Sequence, residues 1–167
     1  KPISDYAGEV LWSKIGAKND AFWVVDKPGG VEKTFCCFNS NARDFAKLGL
    51  LILNNGIVNN DTILRKNDLD FLLSSSGLID RYKKNSLTFN KKQNYYTKSW
   101  WKAKVYDKDI IYARGFLGQY IVIIPEINVV FVRLGKFENS ASALKNEHHL
   151  TENLLFFTKQ IIKDYSY

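Results

Sequence analysis

Methionine is absent from the 167 residues, and the chain opens on Lys1-Pro2-Ile3-Ser4 with no leader-like stretch. The expectation is a chain that begins inside a longer protein, with any export signal upstream. No apolar run approaches the roughly 18 residues needed to cross a bilayer as a helix, so no membrane span is expected in this segment. Histidine occurs only as His148-His149, beside Glu147. With no third ligand or nucleophile nearby, a polar turn before the last helix is favoured over a metal pair or a Ser-His-Asp triad. The only cysteines are the neighbours Cys36-Cys37. A bond between adjacent residues strains the backbone, and two thiolates are too few for zinc. An alternating strand would send them to opposite faces, so two small buried side chains are expected. Gly29-Gly30 lacks the Lys-Ser/Thr and helix of a phosphate loop. Nothing in this inventory calls for a metal or a cofactor.

What is present is apolar material, 46% of residues hydrophobic and 14% aromatic. That is enough for a packed core and argues against disorder. The length suits one domain or a large piece of one. Net charge is +7. The lysines are scattered rather than gathered on one element, which speaks against a nucleic-acid partner. The densest basic stretch, Arg81-Tyr82-Lys83-Lys84 with Lys91-Lys92, is read as a solvated loop in preference to a phosphate- or envelope-binding patch.

Along the chain, Ser4 to about Ile15 reads as a helix capped by Ser4 or Asp5 and stopped by Gly16. Ala21–Asp26 reads as extended, Lys27-Pro28-Gly29-Gly30 as a turn, and Thr34–Phe38 as a second extended piece. The strongest helix follows, with Ser40 and Asn41 as caps, Asp44 in the first turn and Asn54-Asn55-Gly56 as the stop. A third helix is expected from Lys66 or Asn67 to Leu73, capped by Asn67. Tyr95–Val105 reads as one aromatic-rich strand and Tyr106–Asp109 as a turn. Strands are then expected at Ile110–Ala113, Gly118–Ile124 and Val129–Leu134. The last two form an antiparallel hairpin, apolar enough to be covered on both faces. A helix from Leu150 or Thr151 to Tyr165 closes the chain. Helices, a meandering sheet and a terminal helix make an α+β pattern, an antiparallel sheet flanked by helices.

Candidate nucleophiles are scarce. Ser99-Trp100-Trp101-Lys102 and Ser142-Ala143-Leu144-Lys145 match Ser-x-x-Lys, but with 11 Ser and 19 Lys about one match is expected by chance. The first lies in an expected strand, where i and i+3 face opposite ways, and the second in a polar connection. Tyr95, Tyr96, Trp100 and Trp101 could stack on bases or sugars, but core packing is favoured.

One segment carries more. Tyr112-Ala113-Arg114-Gly115-Phe116-Leu117-Gly118-Gln119-Tyr120, running on to Pro125 and then Val129–Gly135, is similar to the third active-site motif of the serine β-lactamase, penicillin-binding-protein and esterase superfamily. Trp12-Ser13-Lys14-Ile15-Gly16 with Asp20-Ala21, and Ala42-Arg43-Asp44-Phe45-Ala46-Lys47-Leu48-Gly49, resemble further stretches of that family in the same order. The resemblance implies a β-lactamase/transpeptidase-like fold, incomplete here, with the N-terminal strands and the nucleophile region missing. It implies one domain fragment over 1–167, with 1–80 mostly helical and 95–167 supplying the C-terminal strands and terminal helix.

The resemblance also assigns roles. The amide after Gly115, that of Phe116, would donate to the oxyanion. Gly115 would allow close backbone approach. Ala113, Arg114, Gly115 and Gln119 would meet the substrate. Arg114 could hold a substrate carboxylate or point away from the cleft. Ala113 stands where Lys, His or Trp is common in the family, and Tyr-x-Asn is absent. These departures favour an esterase, amidase or D-amino-acid peptidase over a drug-destroying β-lactamase. The expected partner is a small ester, amide or peptide, together with the missing N-terminal part of the same protein. The resemblance implies a periplasmic, secreted or cell-envelope protein of a bacterium, and this chain is expected to be inactive alone. The alternative is a non-catalytic envelope- or glycan-binding module.

Overall fold

Tyr120-Ile121-Val122-Ile123-Ile124 has no polar position, and such a strand is stable only with both faces covered. In the computed structural model, which describes residues 1–74, 95–115, 118–135 and 152–166, all five of these residues are buried. In chain order the helices are α1 (Ile3–Ala7), α2 (Ala42–Leu53), α3 (Lys66–Leu73) and α4 (Glu152–Tyr165). The strands are β1 (Phe22–Trp23), β2 (Phe38–Asn39), β3 (Ile57–Val58), β4 (Asp61–Thr62), β5 (Tyr95–Tyr96), β6 (Trp101–Val105), β7 (Lys108–Arg114), β8 (Tyr120–Ile124) and β9 (Val129–Arg133). The last five form one antiparallel sheet in the order β5-β6-β7-β8-β9, while β1-β2 and β3-β4 are separate two-stranded ribbons.

The pleat of β8 explains how the sheet is sandwiched. Tyr120, Val122 and Ile124 join Ala103, Ile110 and Tyr112 in one core, closed by Leu154 and Ile162 of α4. Ile123 belongs to the opposite core, with Ile52 of α2 and Leu69 of α3. Period-2 alternation thus sends successive residues of one strand to two cores. α4 buries its i, i+4, i+8 stripe of Leu154, Thr158 and Ile162. The Thr158 hydroxyl donates to Leu154 O at 2.8 Å, which removes the cost of burying it. Gly49 of α2 lies where a Cβ would stand 2.5 Å from Val130 Cγ1 and 3.0 Å from Ile121 Cγ2, so the helix backbone rests directly on β8 and β9.

The architecture is the α+β one expected, an antiparallel sheet flanked by helices. The β8–β9 hairpin forms as read, turned by a 3-10 segment at Pro125–Ile127 and by Asn128 in the left-handed region (φ 55). α2 is capped by Asn41, whose side chain accepts from Asp44 N at 3.0 Å. Ser40 does not share that work, and its hydroxyl is buried without a partner.

Several details differ from expectation. The first helix is α-helical only over Ile3–Ala7 and continues as a π-helical segment, Gly8–Trp12. Neither Ser4 nor Asp5 caps it, because Pro2 holds the N-cap position and the Ser4 hydroxyl donates to Glu32 Oε1 at 2.6 Å. Asn67 does not cap α3. Arg65 is its N-cap residue, and the guanidinium Nε pairs with Asp68 Oδ2 at 2.7 Å. The single strand expected over Tyr95–Val105 is split. Buried Thr97 bends the chain, its hydroxyl donating to Trp100 O at 2.7 Å and accepting from Trp100 N at 3.0 Å. β3 and β4 were not anticipated. Their two-residue turn, Asn59-Asn60, has both residues at positive φ (50 and 71), a hairpin geometry that asparagine tolerates.

The largest correction concerns the cysteines. Thr34–Cys36 is turn and bend rather than strand, Cys36 and Cys37 are joined in a disulfide, and neither is buried. The expectation of opposite faces assumed an extended chain. Cys37 instead takes a φ of +70, which removes the alternation.

Candidate active site

β7 ends at Arg114, and the chain returns to β8 within a few residues. Register places Ala113 opposite Ile121 and Arg114 opposite Tyr120. Directly opposed residues share a face. Ala113 therefore lies on the α2 face, where Ile121 meets Gly49, and Arg114 on the α4 face with Tyr120. The two neighbours in the motif look into different halves of the molecule.

Beyond Arg114 the backbone folds tightly on itself. Gly115 N–H donates to Gln119 O at 2.8 Å, and Gly118 N–H donates to Gly115 O at 3.1 Å. A Cβ on Gly115 would stand 2.5 Å from Gln119 Oε1 and 3.1 Å from Gln119 Cβ, so the glutamine side chain occupies the space a side chain at 115 would need. Arg133 of β9 donates through Nη1 to Gly118 O, tying this return to the far strand of the hairpin. Ala113, Arg114, Gly115 and Gln119 are all partly exposed, and the return brings Gly115 and Gln119 into contact. Phe116 lies outside the described residues, as do His148, His149, Ser142, Lys145 and the basic stretch Arg81–Lys92. Ser99 of the other Ser-x-x-Lys match sits on an exposed bend, and Lys102 on β6.

Asp44 stands in the first turn of α2 as read, and it does a further job there. Its carboxylate is fully buried. It accepts from Lys18 N at 2.8 Å, Asn19 N at 3.0 Å, Asn19 Nδ2 at 2.9 Å and Asn41 Nδ2 at 2.6 Å. The Lys18 amide above all, then the Asn19 side chain, hold its pKa down to about 2 against the opposing effect of burial. Four donors and full burial suit the group to a structural role. It is a staple between the loop after α1 and the start of α2. Sequence reading missed this staple, the Arg133 tie and the Gln119 side chain over Gly115. None has a local signal, because each joins residues distant in sequence or a backbone group to a side chain.

The aromatics around β5 and β6 pack on one another. Trp101 stacks on Tyr112 at 6.1 Å and lies 4.9 Å from Tyr96. Tyr112 has no exposed surface, so these rings serve the core. Among the described residues no group of three or more His, Cys, Asp or Glu is placed to hold a metal. No described helix is long and apolar enough to cross a membrane.

No protein-family model matches the sequence, and no curated protein matches it. Among solved structures, the chain is similar to one named "Putative 6-aminohexanoate-dimer hydrolase from Bacillus anthracis", with a TM-score of 0.63 and 23% identity over 96% of this chain. The match spans 39% of that protein's length. At this identity the likeness carries the fold alone: the chain has part of a β-lactamase-like α+β fold.

Proposed function

We propose that this chain forms one wall of the active site of a serine hydrolase acting through an acyl-enzyme, of esterase, amidase or D-amino-acid peptidase type. The observation that carries the reading is the Gly115–Gln119 return at the end of β7. In such a reaction a serine oxygen attacks an ester or amide carbonyl, and the carbonyl oxygen gains negative charge as the tetrahedral intermediate forms. Backbone amides that already point at that oxygen stabilise the charge without reorganising. The Gly115 N–H is engaged by Gln119 O, so it is not the donor. The next amide in sequence, Phe116 N–H, takes the role. Gly115 leaves room at the strand end for the Gln119 side chain, which supplies a neutral hydrogen-bonding group beside the acyl group, and Ala113 puts only a methyl on the α2 face. Arg114, on the other face, offers a planar guanidinium to a substrate carboxylate that reaches around the strand end.

The nucleophilic serine, with a Lys and a Tyr to take and return its proton, comes from chain beyond these 167 residues. The name of the structural neighbour, a hydrolase of a 6-aminohexanoate dimer, supports a small amide or ester substrate. A bacterial cell-envelope location fits the Cys36–Cys37 disulfide, since such bonds persist in oxidising compartments.

The test has two arms. The purified 167-residue chain is incubated with a chromogenic ester, and no turnover above buffer is expected; turnover would sink the one-wall reading. The protein extended with its upstream residues is exposed to fluorophosphonate and penicillin probes, and covalent labelling of one serine is expected. Failure to label, with the fold intact, would favour a non-catalytic envelope- or glycan-binding module.

A further inference from the structure

The β1–β2 ribbon carries a chemical group that the proposed hydrolase does not use. Cys36 and Cys37 are bonded to each other, closing a small ring around their own peptide bond. Cys37 is exposed and Cys36 half-buried. Cys37 sits at φ +70, a region that L-residues other than Asn, Asp and Gly rarely occupy. Three donors hold the two carbonyls in place. Trp23 Nε1 donates to Cys36 O at 2.7 Å, while Val24 N and Asn39 Nδ2 donate to Cys37 O at 3.1 and 2.8 Å.

The pair stands between two different surroundings. On its outer side, Phe35 is 87% exposed. On its inner side, Phe38 is packed among Trp23 at 4.9 Å, Trp12 at 5.2 Å and Phe45 of α2 at 5.9 Å. An exposed cysteine is therefore the immediate neighbour in sequence of an aromatic cluster that joins the ribbon to α1's continuation and to α2.

We propose that Cys36–Cys37 is a thiol–disulfide exchange site whose opening by a dithiol reductant resets the conformation of the β1–β2 ribbon. A thiolate of the reductant attacks Cys37 Sγ. The Cys36–Cys37 bond breaks, a mixed disulfide forms at Cys37, and Cys36 leaves as a thiolate that takes a proton from water. The second thiol of the reductant, as thiolate, then attacks the reductant sulfur of the mixed disulfide and releases Cys37 as a thiol after protonation. The pair has gained two electrons and two protons, and the reductant departs as its own cyclic disulfide. The exposed Phe35 and Val31 of the connection between β1 and β2, with exposed Phe22 of β1, offer the apolar approach that a protein dithiol would use.

Opening the ring removes the covalent closure that holds Cys37 in the left-handed region. The residue then relaxes toward negative φ, its carbonyl leaves Val24 N–H and Asn39 Nδ2, and Phe38 turns within the aromatic cluster. Because Phe38 contacts two tryptophans, the change is visible in their emission.

The test uses the intact protein and needs no hydrolase activity. Alkylation followed by mass spectrometry is done with and without dithiothreitol under native conditions, beside tryptophan emission and hydrogen exchange over residues 22–41. Expected are no alkylated cysteine before reduction and two after it, faster exchange in 22–41 after reduction, and a change in emission reversed by oxidised glutathione. The double variant C36S/C37S, checked for folding by far-UV circular dichroism, should match the reduced protein and ignore dithiothreitol. Two free thiols before reduction would overturn the proposal. So would a bond that opens only on unfolding, or an opening that leaves emission and exchange unchanged.

Discussion

Gly49 shows how little room single positions leave. With Val130 Cγ1 at 2.5 Å from where a Cβ would stand, Gly49→Ala forces Val130 or the helix to move. Overpacking of this kind typically costs about 1–3 kcal/mol, and we expect that loss from urea denaturation of the variant with the slope unchanged. Helix propensity alone would predict a gain of about 1 kcal/mol for the same substitution, so the sign of the change separates packing from propensity. Asp44 gives a different signature, in pH rather than in volume. Its pKa falls from 3.8 in the unfolded chain to about 2 in the folded one. A depressed carboxylate stabilises the fold fully above the unfolded value and loses that contribution as pH falls through the folded value. Thermal midpoints should therefore drop between about pH 4 and about pH 2, and Asp44→Asn should flatten that part of the curve while lowering stability at neutral pH. A curve of unchanged shape in the variant would show that other carboxylates dominate acid unfolding.

At the scale of elements, α2 was legible in nearly every respect. Its Asn41 cap, its apolar stripe and its Asn54-Asn55-Gly56 stop are local signals, and the helix runs where they place it. The cap is open to direct measurement. Asn41→Ala removes the acceptor for Asp44 N and should cost about 0.5–2 kcal/mol in chemical denaturation. Ser40→Ala, at a hydroxyl with no partner, should cost less than that, since no hydrogen bond is lost. Elements whose boundaries depend on distant groups were read less well. Ser4 was available as a cap, but Glu32 claims its hydroxyl from 28 residues away. Tyr95–Val105 is a plausible strand throughout, yet Thr97 folds its hydroxyl back on Trp100 and makes it two. The vicinal disulfide depends on one backbone torsion, at Cys37, that no propensity predicts.

For the molecule as a whole, the sheet is covered on both faces over β8 but has unequal edges. Among the described residues no strand pairs with the outer edge of β9, and all five of its residues are partly exposed. Unpaired strand edges flanked by apolar side chains recruit other strands. Exposed Phe156 and Phe157 on α4 and Leu134 just past β9 add apolar surface. The chain on its own should therefore self-associate, with a mass by light scattering above 19.2 kDa that rises with concentration. A monodisperse monomer across a wide concentration range would contradict this.

The segment Ala113 to Tyr120 marks the division between what was readable and what was not. Sequence by itself placed a strand end at Ala113 and set the α+β order around it. It could do so because strand periodicity, turn residues and the apolar run of β8 are all local. The tertiary structure decided which side each residue faces. Ala113 looks toward α2 and Arg114 toward α4 because β8 pairs with β7 in one register. Gln119 fills the space at Gly115 because the chain folds back within four residues, and Arg133 holds Gly118 because the hairpin brings residues 15 positions apart into contact. A chain read in one dimension contains the residues of such a site, but their mutual geometry exists only once the sheet has closed.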